Sequence, residues 1–326
     1  MKPPRLSLLA ALAPALLALP LASATAQTFP SKPVRLVVGF AAGGVADTSA
    51  RAVADRLSLR VGQQVVVENR AGASGNIGAE LVAKAEPDGH TLLVGFDGTM
   101  VVNPHTFSKL PFDTFRDFAP ITKLGDAILV VVAHPSVQAN NMSELIAWSK
   151  ANPNKLSYGS SGIGGTPHLA GELLTQRYGL NWQHVGYKGG GQAIIDVIAG
   201  QIPLVYTAVA SSQQHVKAGK IKALGVSSAK RSSSLPDVPT FAESGLSGFV
   251  VDSWTGILAP AKTPRPVVDR LHKEIAAVLG EPILKERYAV LGIEPVGNTP
   301  EQYAAQIRED WLRWEKVVKT AGIKVD

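Results

Sequence analysis

Beyond residue 33 the sequence alternates short β-branched apolar runs with glycine breaks and helical patterns, and no other feature constrains its fold as strongly. Val34 to Phe40 reads as a strand, broken by Ala42-Gly43-Gly44. A helix follows, with Asp47 near its start, Ala50, Val53, Ala54 and Leu57 on one face, and Gly62 where a C-terminal cap belongs. Val65 to Val67 is a strand, Glu68 to Gly75 a loop, and Asn76 the predicted cap of a helix to Lys84. Pro87-Asp88-Gly89 turns the chain into a third strand at Leu92 to Val94.

The pattern returns after Asp126. Ile128 to Val132 is a strand, Ser143 to Lys150 a helix, and Leu156 to Tyr158 a strand entering a glycine-rich loop from Gly159 to Gly165. Thr166 is the predicted N-cap of the next helix, with Pro167 at N1. His184 to Tyr187 is a strand, Gly189 to Gly191 a break, and Gln192 to Ala199 a helix. Leu204 to Tyr206 and Ala223 to Val226 are further strands. Pro266 to Gly280 is a helix, and Thr299-Pro300-Glu301-Gln302 is a capping box opening a final helix with Tyr303, Ile307, Trp311, Trp314 and Val318 on its packed face.

Such alternation predicts an α/β fold with mainly parallel sheets in two lobes, followed by a helical C-terminal segment. Ligands of such sheets sit outside the carboxyl ends of strands. Glycine breaks follow Phe40, Tyr158 and Tyr187, and Asp97-Gly98-Thr99 follows Phe96. Each break precedes a helix, whose N-terminus carries unpaired N–H groups and about half a positive charge. Two or three such ends aimed at one cavity would bind a carboxylate or phosphate, with Gly43-Gly44 and Gly164-Gly165-Thr166 the foremost candidates.

The first 26 residues read as a secretory signal peptide. Lys2 and Arg5 precede an Ala/Leu/Pro run from Leu8 to Ala22, and Ala24-Thr25-Ala26 offers a cleavage site before Gln27. Pro14 and Pro20 and the shortness of the run argue against a membrane anchor. Cleavage lowers the net charge from +6 to +4, leaving 30 basic against 26 acidic residues. The expected location is the periplasm.

Most chemistry is excluded by what the sequence lacks. There is no cysteine, hence no disulfide, thiolate nucleophile or cysteine-ligated metal. No phosphate loop or dinucleotide fingerprint is present, since Gly72, Gly75 and Gly78 are spaced at three. Gly159-Ser160-Ser161-Gly162 fails the nucleophile-elbow pattern, because Ile163 stands where the last glycine belongs. The seven histidines form no metal motif, and His168 is expected to pack or line the cleft. Basic charge is spread out, which argues against nucleic acid. Asp47 has two roles open to it: capping its helix, or recognising a ligand ammonium or hydroxyl.

An ordered series of motifs adds to this. It runs from Phe29-Pro30-Ser31-Lys32-Pro33-Val34-Arg35 through Val66-Val67-Glu68-Asn69-Arg70-Ala71-Gly72-Ala73-Ser74-Gly75-Asn76-Ile77-Gly78 to Pro87-Asp88-Gly89-His90-Thr91-Leu92. It continues with Asp117-Phe118-Ala119-Pro120, His168-Leu169-Ala170-Gly171-Glu172-Leu173, Tyr187-Lys188-Gly189, Leu235-Pro236-Asp237-Val238-Pro239-Thr240 and Ser253-Trp254. The series resembles the Bug-type substrate-binding proteins of tripartite tricarboxylate transporters over essentially the whole chain after the leader.

The resemblance implies a two-lobed, type II periplasmic-binding-protein fold that closes like a Venus flytrap. Lobe 1 would comprise 27–124 plus 224–326, and lobe 2 125–223. It implies a monomeric receptor without catalysis, cofactor or metal, binding a small carboxylate and delivering it to membrane permease subunits. By resemblance the ligand meets the loop Phe40, Ala41, Ala42, Gly43, Gly44 and Asp47. Further contacts would come from Asp97, Gly98 and Thr99, from Ser161, Gly164, Gly165, Thr166 and His168, and from Tyr206, Thr207 and Ala208. Three departures matter: Ala41-Ala42 replace prolines, Pro203 and Thr207 stand where acids are common, and Asp97 stands where a small hydroxyl residue is common. They favour a plain carboxylate over an amino acid, with Asp97 opposing a second carboxylate or bonding a hydroxyl. The rival functions are an extracytoplasmic sensor for a signalling partner and a secreted hydrolase.

Overall fold

The computed structural model describes residues 29–40, 42–187, 190–322 and 324. The expected signal peptide, Ala41 and the Lys188-Gly189 pair lie outside the described residues.

The chain opens with β1 (Val34–Val38), α1 (Val45–Val61), β2 (Val65–Asn69), α2 (Asn76–Ala83) and β3 (Thr91–Phe96). A wide helical turn, Gly98–Val102, runs into α3 (Asn103–Thr106), and β4 (Phe118–Ala127) follows. One residue later β5 (Leu129–Ala133) begins a second sheet, continued by α4 (Met142–Ala151), β6 (Ser157–Ser160), α5 (Thr166–Tyr178), β7 (Gln183–Gly186), α6 (Gly190–Ile198), β8 (Leu204–Ala208), α7 (Val209–Lys217) and β9 (Lys222–Val226). The chain then returns to the first sheet through β10 (Ser253–Pro260). It ends with α8 (Arg265–Gly280), α9 (Pro282–Val290), β11 (Ile293–Pro295) and α10 (Pro300–Ala321).

The local signals act as expected in α1. Ala50, Val53, Ala54 and Leu57 are all buried, and Gly62 caps the helix in the left-handed region at φ 68°. Burying a Val or Leu side chain contributes about 1.5–3 kcal/mol, which outweighs the weak intrinsic propensity of so short a segment. In α10 the Thr299 hydroxyl accepts from the Gln302 N–H, and the Gln302 side chain accepts from the Thr299 N–H. Tyr303, Ile307, Trp314 and Val318 are buried on its inner face.

The sheets order as β11-β4-β10-β3-β1-β2 and β7-β6-β8-β5-β9. They are mixed rather than mainly parallel. β1 pairs in parallel with β2 and β3, and β6 with β7 and β8. β10 runs antiparallel to β3 and β4, and β5 antiparallel to β8 and β9. The reason is the path of the chain. Each inserted strand has just arrived from the other sheet, and it runs against both of its neighbours. Sheet membership changes between Ala127 and Leu129 and again between Val226 and Ser253, so the expected cuts at 124/125 and 223/224 fall inside β4 and β9.

Three helix starts differ from the sequence reading. Gly165, not Thr166, is the N-cap of α5, and Pro167 sits in the second helical position, because the Thr166 hydroxyl has a distant partner. Gly75, not Asn76, precedes α2, and the Asn76 side chain accepts from Asn103 instead. Gly190 and Gly191 form the first turn of α6 rather than a break.

One apolar cluster joins the sheets. It holds Val37 and Leu93 from the first, Leu129, Val131 and Leu204 from the second, and Trp314 and Val318 from α10. Tyr158 packs against α5 so closely that a methyl group at Gly171 would stand 2.3 Å from its ring. Gly171→Ala is therefore expected to cost about 1–3 kcal/mol by overpacking. The loss would appear as a lower urea midpoint with an unchanged slope.

Candidate functional site

The glycine loop after β1 is fixed by Asp47. Its carboxylate accepts from Gly43 N–H at 2.9 Å, from Arg51 Nε at 3.0 and 3.1 Å, and from Asn69 Nδ2 at 2.9 Å. Asn69 Nδ2 also donates to the Phe40 carbonyl at 3.0 Å. Burial works against this charge, but the bonds from Arg51, Gly43 and Asn69 outweigh it and hold the Asp47 pKa below its usual value. Asp47 does not take the expected capping role, since α1 starts at Gly44 with no side-chain cap bond, and its carboxylate accepts from Gly43, Arg51 and Asn69 instead.

Phe40 lies against Phe96, ring centroids 5.3 Å apart and edge to face. Gly75 completes this group. Its φ is +91°, and a Cβ there would meet Thr99 Oγ1 at 2.3 Å and the Phe40 ring at 3.1 Å, so only glycine fits. The Thr99 hydroxyl donates to the Ser74 carbonyl at 2.9 Å, and Asn103 Nδ2 donates to the same oxygen at 3.0 Å.

Asp97 ends β3 with a side chain that is 1% exposed. Thr166 Oγ1 donates to its Oδ2 at 2.5 Å, and Ser253 Oγ donates to its Oδ1 at 2.6 Å. Three segments therefore meet on one carboxyl group: the end of β3, the start of α5 and the start of β10. Burial pushes the Asp97 pKa up to about 6, against the bonds from Ser253, Thr166 and the Gly98 N–H. Gly98 is not sterically required here, since a Cβ there would lie 3.5 Å from the Phe96 ring and 4.0 Å from Thr166 Oγ1.

In the loop after β6, Gly162 and Gly164 take positive φ values. Ser161 is exposed, and Gly165 caps α5 without a side-chain hydrogen bond. His168 does not point to an open cleft. Its Nδ1 accepts from Gly164 N–H at 3.0 Å, and its ring stacks on His184 at 3.7 Å. Burial lowers the pKa of His168 to about 4 and of His184 to about 3, so both rings are neutral at physiological pH. His184 Nε2 lies 2.8 Å from Ser160 Oγ, a Ser–His pair one residue away from the serine tested in the sequence. Ser160 is fully buried and also donates to Gly162 O at 2.9 Å, so the pair braces the loop from below.

At β8 the period of two sends Tyr206 into the core beside Phe241, so its side chain contributes nothing to the convergence. Thr207 is buried against α6, where a Cβ on Gly190 would meet its Oγ1 at 2.6 Å. Ala208 is the N-cap of α7 and offers no side-chain cap.

Ten of the predicted residues fall into three groups, apart from exposed Ala42, the β6–α5 loop residues Ser161, Gly164, Gly165 and His168, and the core residue Tyr206. Phe40, Asp97, Gly98, Thr99 and Thr166 come together, joined by Phe96, Gly75 and Ser253, which sequence reasoning missed as site residues. Gly43, Gly44 and Asp47 form a second group, linked to the first through Asn69 and Phe40. Thr207 and Ala208 form a third at the neighbouring strand end. Gly44, Gly165 and Ala208 open α1, α5 and α7 without side-chain caps, as α2, α8 and α9 also open, while Asn141 and Thr299 cap α4 and α10. Uncapped starts leave N–H donors for a ligand anion.

The raised Asp97 pKa fixes a sign. Folded Asp97 retains a proton that the unfolded chain, with a value of 3.8, has released. Its stabilising contribution is complete below about pH 4 and is lost as pH rises through about 6. Between pH 4.5 and 7.5, urea unfolding of the wild type should show ~2 kcal/mol more loss of stability than Asp97→Asn, which removes this titration.

The family model of the tripartite tricarboxylate transporter family receptor, TctC, matches residues 49–323. A protein encoded in the tcbD-tcbE intergenic region of Pseudomonas sp. strain P51 is 40% identical over 293 residues, covering 90% of this chain and 87% of its own. The periplasmic binding protein BugD has a solved structure with a TM-score of 0.81 and 37% identity, covering 91% of this chain and 99% of its own. Rpa4515 of R. palustris, solved with adipate, matches at a TM-score of 0.84 and 35% identity, covering 91% and 99%. The chain belongs to the tripartite tricarboxylate transporter receptor family, as a Bug-type solute-binding protein.

Proposed function

We propose that this chain is an exported, monomeric receptor that holds a small organic acid between two closing lobes and passes it to a membrane permease. The observation that carries the reading is the Asp97–Thr166 contact. It joins the carboxyl end of β3 in one sheet to the start of α5 in the other, 69 residues apart in sequence. Substrate sites of open α/β sheets lie at such strand ends. The uncapped starts of α1, α5 and α7 supply N–H groups suited to a carboxylate, with no basic side chain required. The adipate bound by Rpa4515 supports the same ligand class here. A ligand contacting both lobes would favour the closed form, and closure assembles the surface a permease recognises.

The leader expected at residues 1–26 supports export. No helix among the described residues is long and apolar enough to cross a membrane.

A thermal-shift panel of small carboxylates on the purified chain tests the reading. One acid, at a hundred times its Kd, is expected to add ~2.7 kcal/mol of stability. Gly44→Val places a side chain at the open end of α1 and should weaken that acid at least tenfold while the protein still melts cooperatively. An unchanged affinity in Gly44→Val would remove this loop from the site.

A further inference from the structure

The start of α5 already holds an anion, and that anion belongs to the protein. Thr166 is the first helical residue, and its hydroxyl donates to Asp97 Oδ2 at 2.5 Å. Ser253 donates to the other oxygen at 2.6 Å, and the Gly98 N–H also bonds the carboxyl group. These are the hydrogen-bond donors that a ligand carboxylate would need at this end of the convergence, and Asp97 has them. No Lys, Arg or His ranks among the leading influences on Asp97. The charge felt most from outside is Asp310 on α10, of the same sign, and Tyr303 on α10 feels Asp97 in turn. A second carboxylate arriving here would meet like charge in a buried setting, where unpaired charges are costly. A hydroxyl arriving here would meet an acceptor.

We propose that Asp97 sets the charge pattern of the ligand: the receptor takes acids with one carboxylate and a hydrogen-bond-donating group toward Asp97, and rejects plain dicarboxylates. The proposal rests on the carboxylate-receptor reading and narrows it. The carboxylate is assigned to the N–H groups at the start of α1, since Gly43 N–H is held by Asp47, and the donor group to Asp97. Discrimination comes from leaving a charge unpaired against Asp97 rather than from a new attraction, the usual route to specificity against a near-isostere.

Matched pairs of linear acids separate the two ends. Each ω-hydroxy acid is compared with the dicarboxylate of equal carbon number: 3-hydroxypropionate with malonate, 4-hydroxybutyrate with succinate, 6-hydroxyhexanoate with adipate. Isothermal titration is run on wild type, Asp97→Asn and Asp97→Ser, each first shown to melt cooperatively. At the length that binds, wild type is expected to prefer the hydroxy acid at least tenfold. Both variants should shrink that ratio at least tenfold, chiefly by gaining affinity for the dicarboxylate. The isosteric Asn variant keeps the test available if the Ser variant fails to fold.

A pH series gives a second readout. As Asp97 gains a proton near pH 6, wild-type discrimination should narrow between pH 7.5 and 5. In Asp97→Asn the change should be smaller and should report only the second carboxyl of the dicarboxylate, which also titrates in this range, although Asp310 and Tyr303, which face Asp97, and Asp252, which neighbours Ser253, all remain. A wild type that prefers the dicarboxylate overturns the proposal and leaves the receptor reading standing. So does a ratio unchanged in the variants. Failure of every pair to bind to any of the three proteins overturns this proposal, and the receptor reading falls with it only when the thermal-shift panel of carboxylates is silent as well.

Discussion

The structure depends on the chain passing twice between its two sheets. β4 leaves the first sheet and β5 enters the second after a single intervening residue, and β10 returns. Each arriving strand is inserted antiparallel inside its new sheet, β5 between β8 and β9, β10 between β3 and β4. An inserted strand has hydrogen-bonded neighbours on both sides, so both crossings are anchored in ladder bonds rather than in loops. The return crossing also delivers Ser253 to Asp97, 156 residues away. The fold and the candidate site therefore share one piece of backbone.

Side-chain caps are few among the described helices, and α2, α8 and α9 also start without one. Away from the convergence, α4 and α10 are closed by Asn141 and Thr299. At the convergence, α1, α5 and α7 start at Gly44, Gly165 and Ala208 with no side-chain acceptor. The polar side chains nearby brace the loops instead: Asp47 holds Gly43, His168 holds Gly164, and Ser160 holds Gly162. Such bracing pre-organises backbone donors and lowers the ordering cost of binding. His168 and His184 suit this role because burial keeps them neutral.

Much of the architecture was legible in the sequence. The helical spacing of Ala50, Val53, Ala54 and Leu57, the Gly62 cap and the Thr299 capping box are local signals, and each acts within a few residues. The breaks after Phe40 and Phe96 were legible for the same reason, whereas β6 runs on through Gly159 to Ser160, past the break expected after Tyr158. β4 and β10 were not read as the long strands they are, because their pairing partners lie far along the chain. Thr166 was misplaced as a cap because its sequence context permits one, while the Asp97 carboxylate is a stronger acceptor for its hydroxyl. Tyr206 was misassigned because a one-residue change of face separates the core from the strand end.

By itself the sequence determined most element types, though not β4, α7, β10, α9 or β11, and the family to which the chain belongs, since these follow from local periodicity, capping chemistry and ordered motifs. Tertiary structure decided the rest: the antiparallel insertion of β5 and β10, the closure of Asp47 on its own loop, and the meeting of Asp97, Thr166 and Ser253. Those contacts join residues tens to more than a hundred positions apart. Their existence depends on the packing of α10 and both sheets around one shared core, which no local pattern encodes.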